Sequence, residues 1–213
     1  MKKSLFTLTA ATLFSLFLSP AWADYNSGMT ALKKGDFQTA LTEFNACSSQ
    51  PKCQFELGLN YSKGRGVAPS DKEAFKWFKL AADKGFPEAQ NNVATSYVNG
   101  QGVKRDTAEA AKWIRRAADQ GLTVAQYNMG IFYRDGLGVT SQPAEAAYWF
   151  RLAANQGHAD AQNELGAMYF NGDGVGRNYV LSYSLLYLAT LNGNKFAVDS
   201  RNTVANLLSP TNL

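Results

Sequence analysis

Between residues 87 and 122 the apolar side chains twice recur at helical spacing. Ala89, Val93, Ala94 and Tyr97 fall on one side of a segment from Glu88 to Asn99. Ala110, Trp113, Ile114, Ala117 and Ala118 do the same in the segment that follows. Gly100-Gln101-Gly102 breaks the pattern between them, because glycine accepts the left-handed backbone that ends helices. Asp106 or Thr107 is placed to cap the second helix and Gly121 to end it. The stretch therefore predicts helix, turn, helix. Alanines stand where helices approach, and Tyr97 and Trp113 fill the space between layers.

The pattern returns every 36 residues. Gly64, Gly100, Gly136 and Gly172 form one column, and Gly66, Gly102, Gly138 and Gly174 another. Val67, Val103, Val139 and Val175 follow in step, as do Tyr61, Tyr97, Tyr133 and Tyr169. Ala81, Ala117, Ala153 and Ala189 recur, and Gly85, Gly121, Gly157 and Gly193 close each unit. Trp77, Trp113 and Trp149 recur three times, with Leu185 in the fourth place. The units are 51–86, 87–122, 123–158 and 159–194. None can bury its apolar face alone, so the units must stack. Residues 24–50 precede the first unit. In 195–213, a helix from Lys195 to Leu208, with Ala197, Val204, Ala205 and Leu208 on one face, caps the far end. The tail from Ser209 to Leu213 is expected to fray. The last unit is unusually apolar from Tyr179 to Leu191, as expected of a unit covered by that terminal helix.

The first 23 residues read as an address rather than as part of the fold. Lys2 and Lys3 precede an apolar run from Ser4 to Leu18, too short to span a bilayer. Pro20 breaks it, and Ala21-Trp22-Ala23 offers small residues to a signal peptidase, placing the cut between Ala23 and Asp24. No cysteine stands at the cut to carry a lipid, and the mature chain has no transmembrane stretch. The expected location is periplasmic or secreted.

The units carry A-x-x-x-L-G-x-x-Y-x-x-G-x-G-V, most fully from Ala161 to Val175, and A-x-x-W-x-x-x-A-A-x-x-G, most fully from Ala146 to Gly157. This pattern resembles the Sel1-like repeat family, a variant of the tetratricopeptide solenoid with a longer turn between helices. The resemblance covers residues 51–194. Gly28, Gly35-Asp36-Phe37, Ala40 and Phe44 look like one ordinary tetratricopeptide hairpin before it, which implies that residues 24–50 form an N-terminal capping hairpin. The resemblance implies an all-α, right-handed α-solenoid. It also implies an interaction role in the bacterial envelope, as in adaptors of signalling or polysaccharide export and factors that meet host proteins.

Charge narrows the partners. Removing Lys2 and Lys3 from 21 basic residues leaves 19 against 17 acidic, a net of +2. Near-neutrality argues against nucleic acid, as does export. The glycine loops lack the preceding strand of a phosphate cradle. His158 is the single histidine and follows a helix-ending glycine; with no other ligands clustered near it, a packing or solvent role is expected and no metal or cofactor. Ser49-Gln50-Pro51-Lys52 is formally the first motif of penicillin-recognising enzymes, but the chain lacks their other two motifs. Cysteine-rich Sel1 relatives described as β-lactam-binding carry a cysteine pair in most repeats, and this chain has one. Cys47 and Cys53 stand in small-residue columns where cap meets first repeat. Two buried thiols and a bridge between them both fit, and an oxidising compartment favours the bridge.

In tetratricopeptide stacks the first helix of each pair lines the concave face. Aligning the two families picks Phe55, Leu59 and Ser62, then Asn91, Thr95 and Val98, then Tyr127, Ile131 and Arg134, then Asn163, Ala167 and Phe170 as outward positions. Asparagines that donate and accept, mixed with aromatic anchors, suit an extended peptide. Tyr127 and Asn163 are expected at the centre of the groove, outside the folding core. The resulting expectation is a non-enzymatic scaffold for a protein or peptide partner. A small-molecule hydrolase and a structural brace are the alternatives.

Overall fold

The eight helices between Pro51 and Leu191 are each 13 residues long, the length the 36-residue period leaves after its two turns. The computed structural model describes residues 25–208. The proposed address segment 1–23, its cut between Ala23 and Asp24, and the tail 209–213 lie outside the described residues. In order, the helices are α1 (Tyr25–Lys33), α2 (Phe37–Ala46), α3 (Pro51–Lys63), α4 (Asp71–Asp83), α5 (Pro87–Asn99), α6 (Thr107–Asp119), α7 (Thr123–Asp135), α8 (Pro143–Asn155), α9 (Ala159–Asn171), α10 (Tyr179–Leu191) and α11 (Ala197–Leu207). Each packs against the next, giving an all-α solenoid of stacked hairpins.

Asp106 caps α6, its carboxylate accepting the Glu109 N–H at 2.9 Å. Ser70 and Asn178 do the same for α4 and α10. Within each hairpin a large side chain on the second helix plugs a gap on the first. Phe78 fills the space over Gly58 and Phe150 that over Gly130; a Cβ at either glycine would lie 2.5 Å from the ring. In the second pair the plug is the smaller Ile114, and Ala94 takes the glycine's place. Plug and gap vary together, as close packing requires.

The turns set the step between pairs. Three residues join α1 to α2, and seven join α3 to α4. The extra length lets each long turn reach back to the preceding pair. Gly102 has φ +69° and lies against the Asp71 carbonyl at the start of α4; Gly138 meets Thr107 of α6 in the same way. A side chain there would strike backbone, so the column is glycine for two reasons.

A second column was missed in the sequence. Gln90, Gln126 and Gln162 are buried, and each donates to a carbonyl near the end of the preceding helix: Ala82, Ala118 and Ala154, at 3.1 to 3.3 Å. Each also accepts from the residue after its own second helix, Gln120, Gln156 or Asn192, at 2.7 to 2.9 Å. The bonds to the carbonyls tie one hairpin to the next, those from the amides close each hairpin on itself, and together they satisfy groups that burial would otherwise penalise.

At the far end the expectation needs correcting. Ala197 and Val204 of α11 pack on Leu186 and Ala189 of α10. Val180, Leu181, Tyr187, Leu188 and Leu191 nevertheless stay exposed. One helix covers one face of another, so α11 explains only part of the apolarity of α10. The final helix runs from Ala197 to Leu207, and the Asn194 side chain accepts the Ala197 N–H at 2.9 Å across the turn before it.

Candidate functional site

The first helices α3, α5, α7 and α9, with α11 after them, leave hollows between neighbours. Leu59, Ser62, Asn92, Thr95 and Gln101 line the one between α3 and α5. Thr95, Val98, Asn128, Ile131 and Leu137 line the next, which is mostly apolar. Arg134, Glu164, Ala167, Asn171 and Asp173 line a charged third. Ala167, Phe170, Ser200 and Thr203 line an apolar fourth. Thr95 borders the first two and Ala167 the last two, so the hollows adjoin in pairs along one face.

This face divides the residues proposed for the groove. Leu59, Thr95, Val98, Ile131, Arg134 and Phe170 line hollows. Phe55, Asn91, Tyr127 and Asn163, one turn nearer the helix starts, do not. Phe55 packs on Phe78 and Phe86, with ring centroids 5.8 and 5.3 Å away. Two repeats on, Tyr127 packs on Phe150 at 5.8 Å and stacks on His158 at 4.5 Å. Asn91 accepts from Asn128 at 3.0 Å, and Asn163 is half-buried. The expectation that Tyr127 stands outside the folding core is therefore wrong. Its ring closes the junction between α7, α8 and the start of α9. The sequence signal for this was pairing: where the first helix carries an aromatic at this position, residue 86 or 158 is also a ring.

His158 also has a structural task. Its Nδ1 accepts the Ala161 N–H at 3.2 Å and caps α9, which assigns the imidazole proton to Nε2. Among the described residues no group of three His, Cys, Asp or Glu side chains could hold a metal. Lys52 of the penicillin-like motif lies over the Tyr25 ring, 5.6 Å from its centroid, and the Ser49 carbonyl accepts from Lys84. Cys47 and Cys53 are joined by a disulfide, their Cα atoms 5.9 Å apart.

Electrostatics single out the third hollow. Arg134 donates to Asp135 at 2.7 Å and, across to the next first helix, to Glu164 at 2.8 Å. These hydrogen bonds push the guanidinium pKa up and hold the Asp135 carboxyl below the usual range. Burial, followed by the charges of Glu164 and Asp160, pushes the Tyr127 phenol up. Asn128 and Glu164 were not foreseen as groove residues; they follow the selected column by one residue, and a strict transfer of tetratricopeptide positions passes over them.

No helix among the described residues is long and apolar enough to cross a membrane. Together with the disulfide, this is compatible with an extracytoplasmic protein.

Comparison places this architecture. The family model of the Sel1 repeat matches residues 51–86, 87–122, 123–158 and 159–194. A Sel1 repeat protein from Oxalobacter formigenes is 33% identical, with a TM-score of 0.79 over 84% of this chain and 74% of its own. The protective antigen c5321 of uropathogenic Escherichia coli is 37% identical, with a TM-score of 0.74 over 80% of this chain and 36% of its own. Cysteine-rich protein B of Helicobacter pylori shares the fold at 19% identity and a TM-score of 0.50, over 59% of this chain and 93% of its own. No curated protein matches the chain. Sel1 repeat proteins generally mediate protein–protein interaction, and their scaffold is generally non-enzymatic. Four matched repeats on a stack of interlocked hairpins make the chain a member of the Sel1 repeat family.

Proposed function

We propose that this chain is an exported scaffold that binds a segment of a partner protein along the row of hollows between its first helices. The observation that carries the reading is the sequence of those hollows: polar, apolar, charged, apolar, on one continuous face. An extended segment lying along this face would meet the hollows in turn. Thr95 and Asn128 offer hydrogen bonds to its backbone, Ile131 and Phe170 offer apolar anchors, and Arg134 with Glu164 fixes register. The basic, apolar start of the sequence and the disulfide support export.

The test uses a photo-crosslinking side chain at Ile131 or Val98 in cells, with Lys112 or Arg151 of the second helices as comparison sites. A discrete protein adduct is expected from the first pair and none from the second. With that partner in hand, Ile131→Ala should weaken binding by about 1–3 kcal/mol, with its separate cost to folding read from the melting temperature of the free chain, since Ile131 is half-buried against the core. Tyr127→Ala is a poorer probe, because it lowers folding and binding together. Adducts only from Lys112 or Arg151 would move the site to the second helices.

A further inference from the structure

The outer sides of the second helices change character along the chain. On α4, Glu73 pairs with Lys76 at 3.2 Å and Lys79 with Asp83 at 2.6 Å. On α6, Glu109 pairs with Lys112 at 2.9 Å and Arg115 with Asp119 at 2.9 Å. Counting on by the 36-residue period, the same four positions of α10 are Leu181, Ser184, Tyr187 and Leu191. Every charge of the two ion pairs has gone, and three of the four replacements are large apolar or aromatic side chains. Leu181, Tyr187 and Leu191 are 43%, 44% and 64% exposed, and Val180 and Leu188 beside them 63% and 44%. Tyr148 on α8, one repeat before Ser184, is 49% exposed. From Asn178 to Asn194 the chain carries no Asp, Glu, Lys or Arg.

We propose that this face of α10 is a homodimer interface, in which two copies pack antiparallel about a two-fold axis crossing the helix between Leu185 and Leu186. The spacing is self-complementary. Val180, Ser184, Tyr187 and Leu191 recur at four, three and four residues, the seam along which two helices interlock. The interval reads the same in both directions. An antiparallel copy therefore sets Val180 against Leu191 of its partner and the small Ser184 against the large Tyr187, twice over. A two-fold interface demands such matching of a surface with itself.

Charge points to the same occupant. Two copies of α10 bring no like charges together, whereas two copies of α6 would oppose Lys112 and Arg115. The ion-paired outer sides of α4 and α6 belong to earlier repeats, away from the axis. The exposed parts of Val180, Leu181, Tyr187, Leu188 and Leu191 amount to about 500 Å² per copy, near the lower edge of a stable interface. An interface of that size corresponds to a reversible dimer rather than a permanent one.

Sedimentation of the purified chain tests the proposal. The expected result is a monomer–dimer equilibrium with a Kd of about 1–100 µM. Leu188→Asp should weaken it at least about 100-fold without changing the helical signal, since Leu188 is exposed. Lys112→Ala on α6 should leave it unchanged. Cysteine pairs fix the geometry. A mixture of Ser184→Cys and Tyr187→Cys chains should crosslink under mild oxidation. Val180→Cys alone should not, because two-fold mates at that position stand about 16 Å apart along the axis. A chain that stays monomeric, a dimer indifferent to Leu188→Asp, or efficient Val180→Cys self-crosslinking would each overturn the proposal. So would flotation with neutral phosphatidylcholine vesicles that depends on Leu188 in a chain showing no self-association; a bilayer would then be the occupant.

Discussion

The two ends of the solenoid close their core in opposite ways. At the start, a whole hairpin, α1–α2, covers α3. Phe44, Ala40 and Ala31 are buried against it, and the disulfide joins the end of α2 to α3. At the finish, the single helix α11 covers α10 through Ala197 and Val204 and leaves the outer face of α10 bare. Both ends bury polar groups, the finishing end through the Ser182 hydroxyl of α10, 0% exposed and unpartnered, the starting end through two larger side chains. Asn60 is 1% exposed with neither amide atom partnered, and Glu56 is 7% exposed. Burial pushes the Glu56 carboxyl up, against the pull of Arg65 and of a hydrogen bond from Tyr25. Inner repeats have a neighbour on each side, but an end must supply its own cover. The first end answers with a plug and a covalent tie that outweigh its buried polar groups. The second answers with a single helix and one polar anchor, without a covalent tie, so it should open first.

The largest expected effect breaks the first end. Phe44 is fully buried and fills the gap over Gly28, the same plug that Phe78 makes over Gly58. Phe44→Ala should cost about 3–5 kcal/mol by urea denaturation, as buried phenylalanines do. Val204→Ala at the other end removes less and should cost about 1–2 kcal/mol. Equal costs would show that the ends are secured alike.

The disulfide comes next. Cys47 and Cys53 are buried in columns that elsewhere hold alanine, so Cys47→Ala with Cys53→Ala fits without strain. With five residues between the cysteines, the tie should contribute about 2 kcal/mol in the chain-entropy model. The loss should appear as faster amide exchange in α1–α3, with α7–α9 unchanged. Exchange rising equally along the chain would mean that the stack unfolds as one unit.

The repeat columns made the fold legible. Glycine, alanine and tryptophan at 36-residue spacing place every helix of the four pairs, because backbone turns and close approaches tolerate few residue types. The face was legible only in part. Leu59, Thr95, Val98, Ile131, Arg134 and Phe170 line hollows, but Phe55 and Tyr127 are held in ring packing one turn away. Period and spacing give the helix face. They do not say which turn of that face a neighbour's ring will cover, since that depends on residues 86 and 158 in another column. The glutamine column escaped because its role is a hydrogen bond between hairpins, which hydrophobic periodicity does not report. The bare face of α10 was visible as composition, but its exposure depended on which side α11 chose.

The smallest effect sharpens the finishing end, where Asn194 does two things at once. Its Oδ1 accepts the Ala197 N–H at 2.9 Å, satisfying an amide at the start of α11. Its Nδ2 donates to Asp160 of α9 at 2.8 Å, tying the same turn back to the preceding first helix. His158 occupies the equivalent position one repeat earlier and caps α9 through Nδ1, so capping recurs there without the second tie. Asn194→Ala removes both bonds and should cost about 1 kcal/mol, the usual price of a lost cap. Asn194→Asp keeps an acceptor for Ala197 but sets a second carboxylate beside Asp160, which costs more when both are ionised. Melting curves at neutral pH should therefore rank wild type above both variants. Acidification that protonates one carboxyl should bring Asn194→Asp back toward wild type and leave Asn194→Ala where it was, because alanine has nothing to protonate. Amide exchange in α11 should follow the same order. If both variants lose the same amount at every pH, the Asp160 tie is not what holds α11, and packing of Val204 alone closes this end.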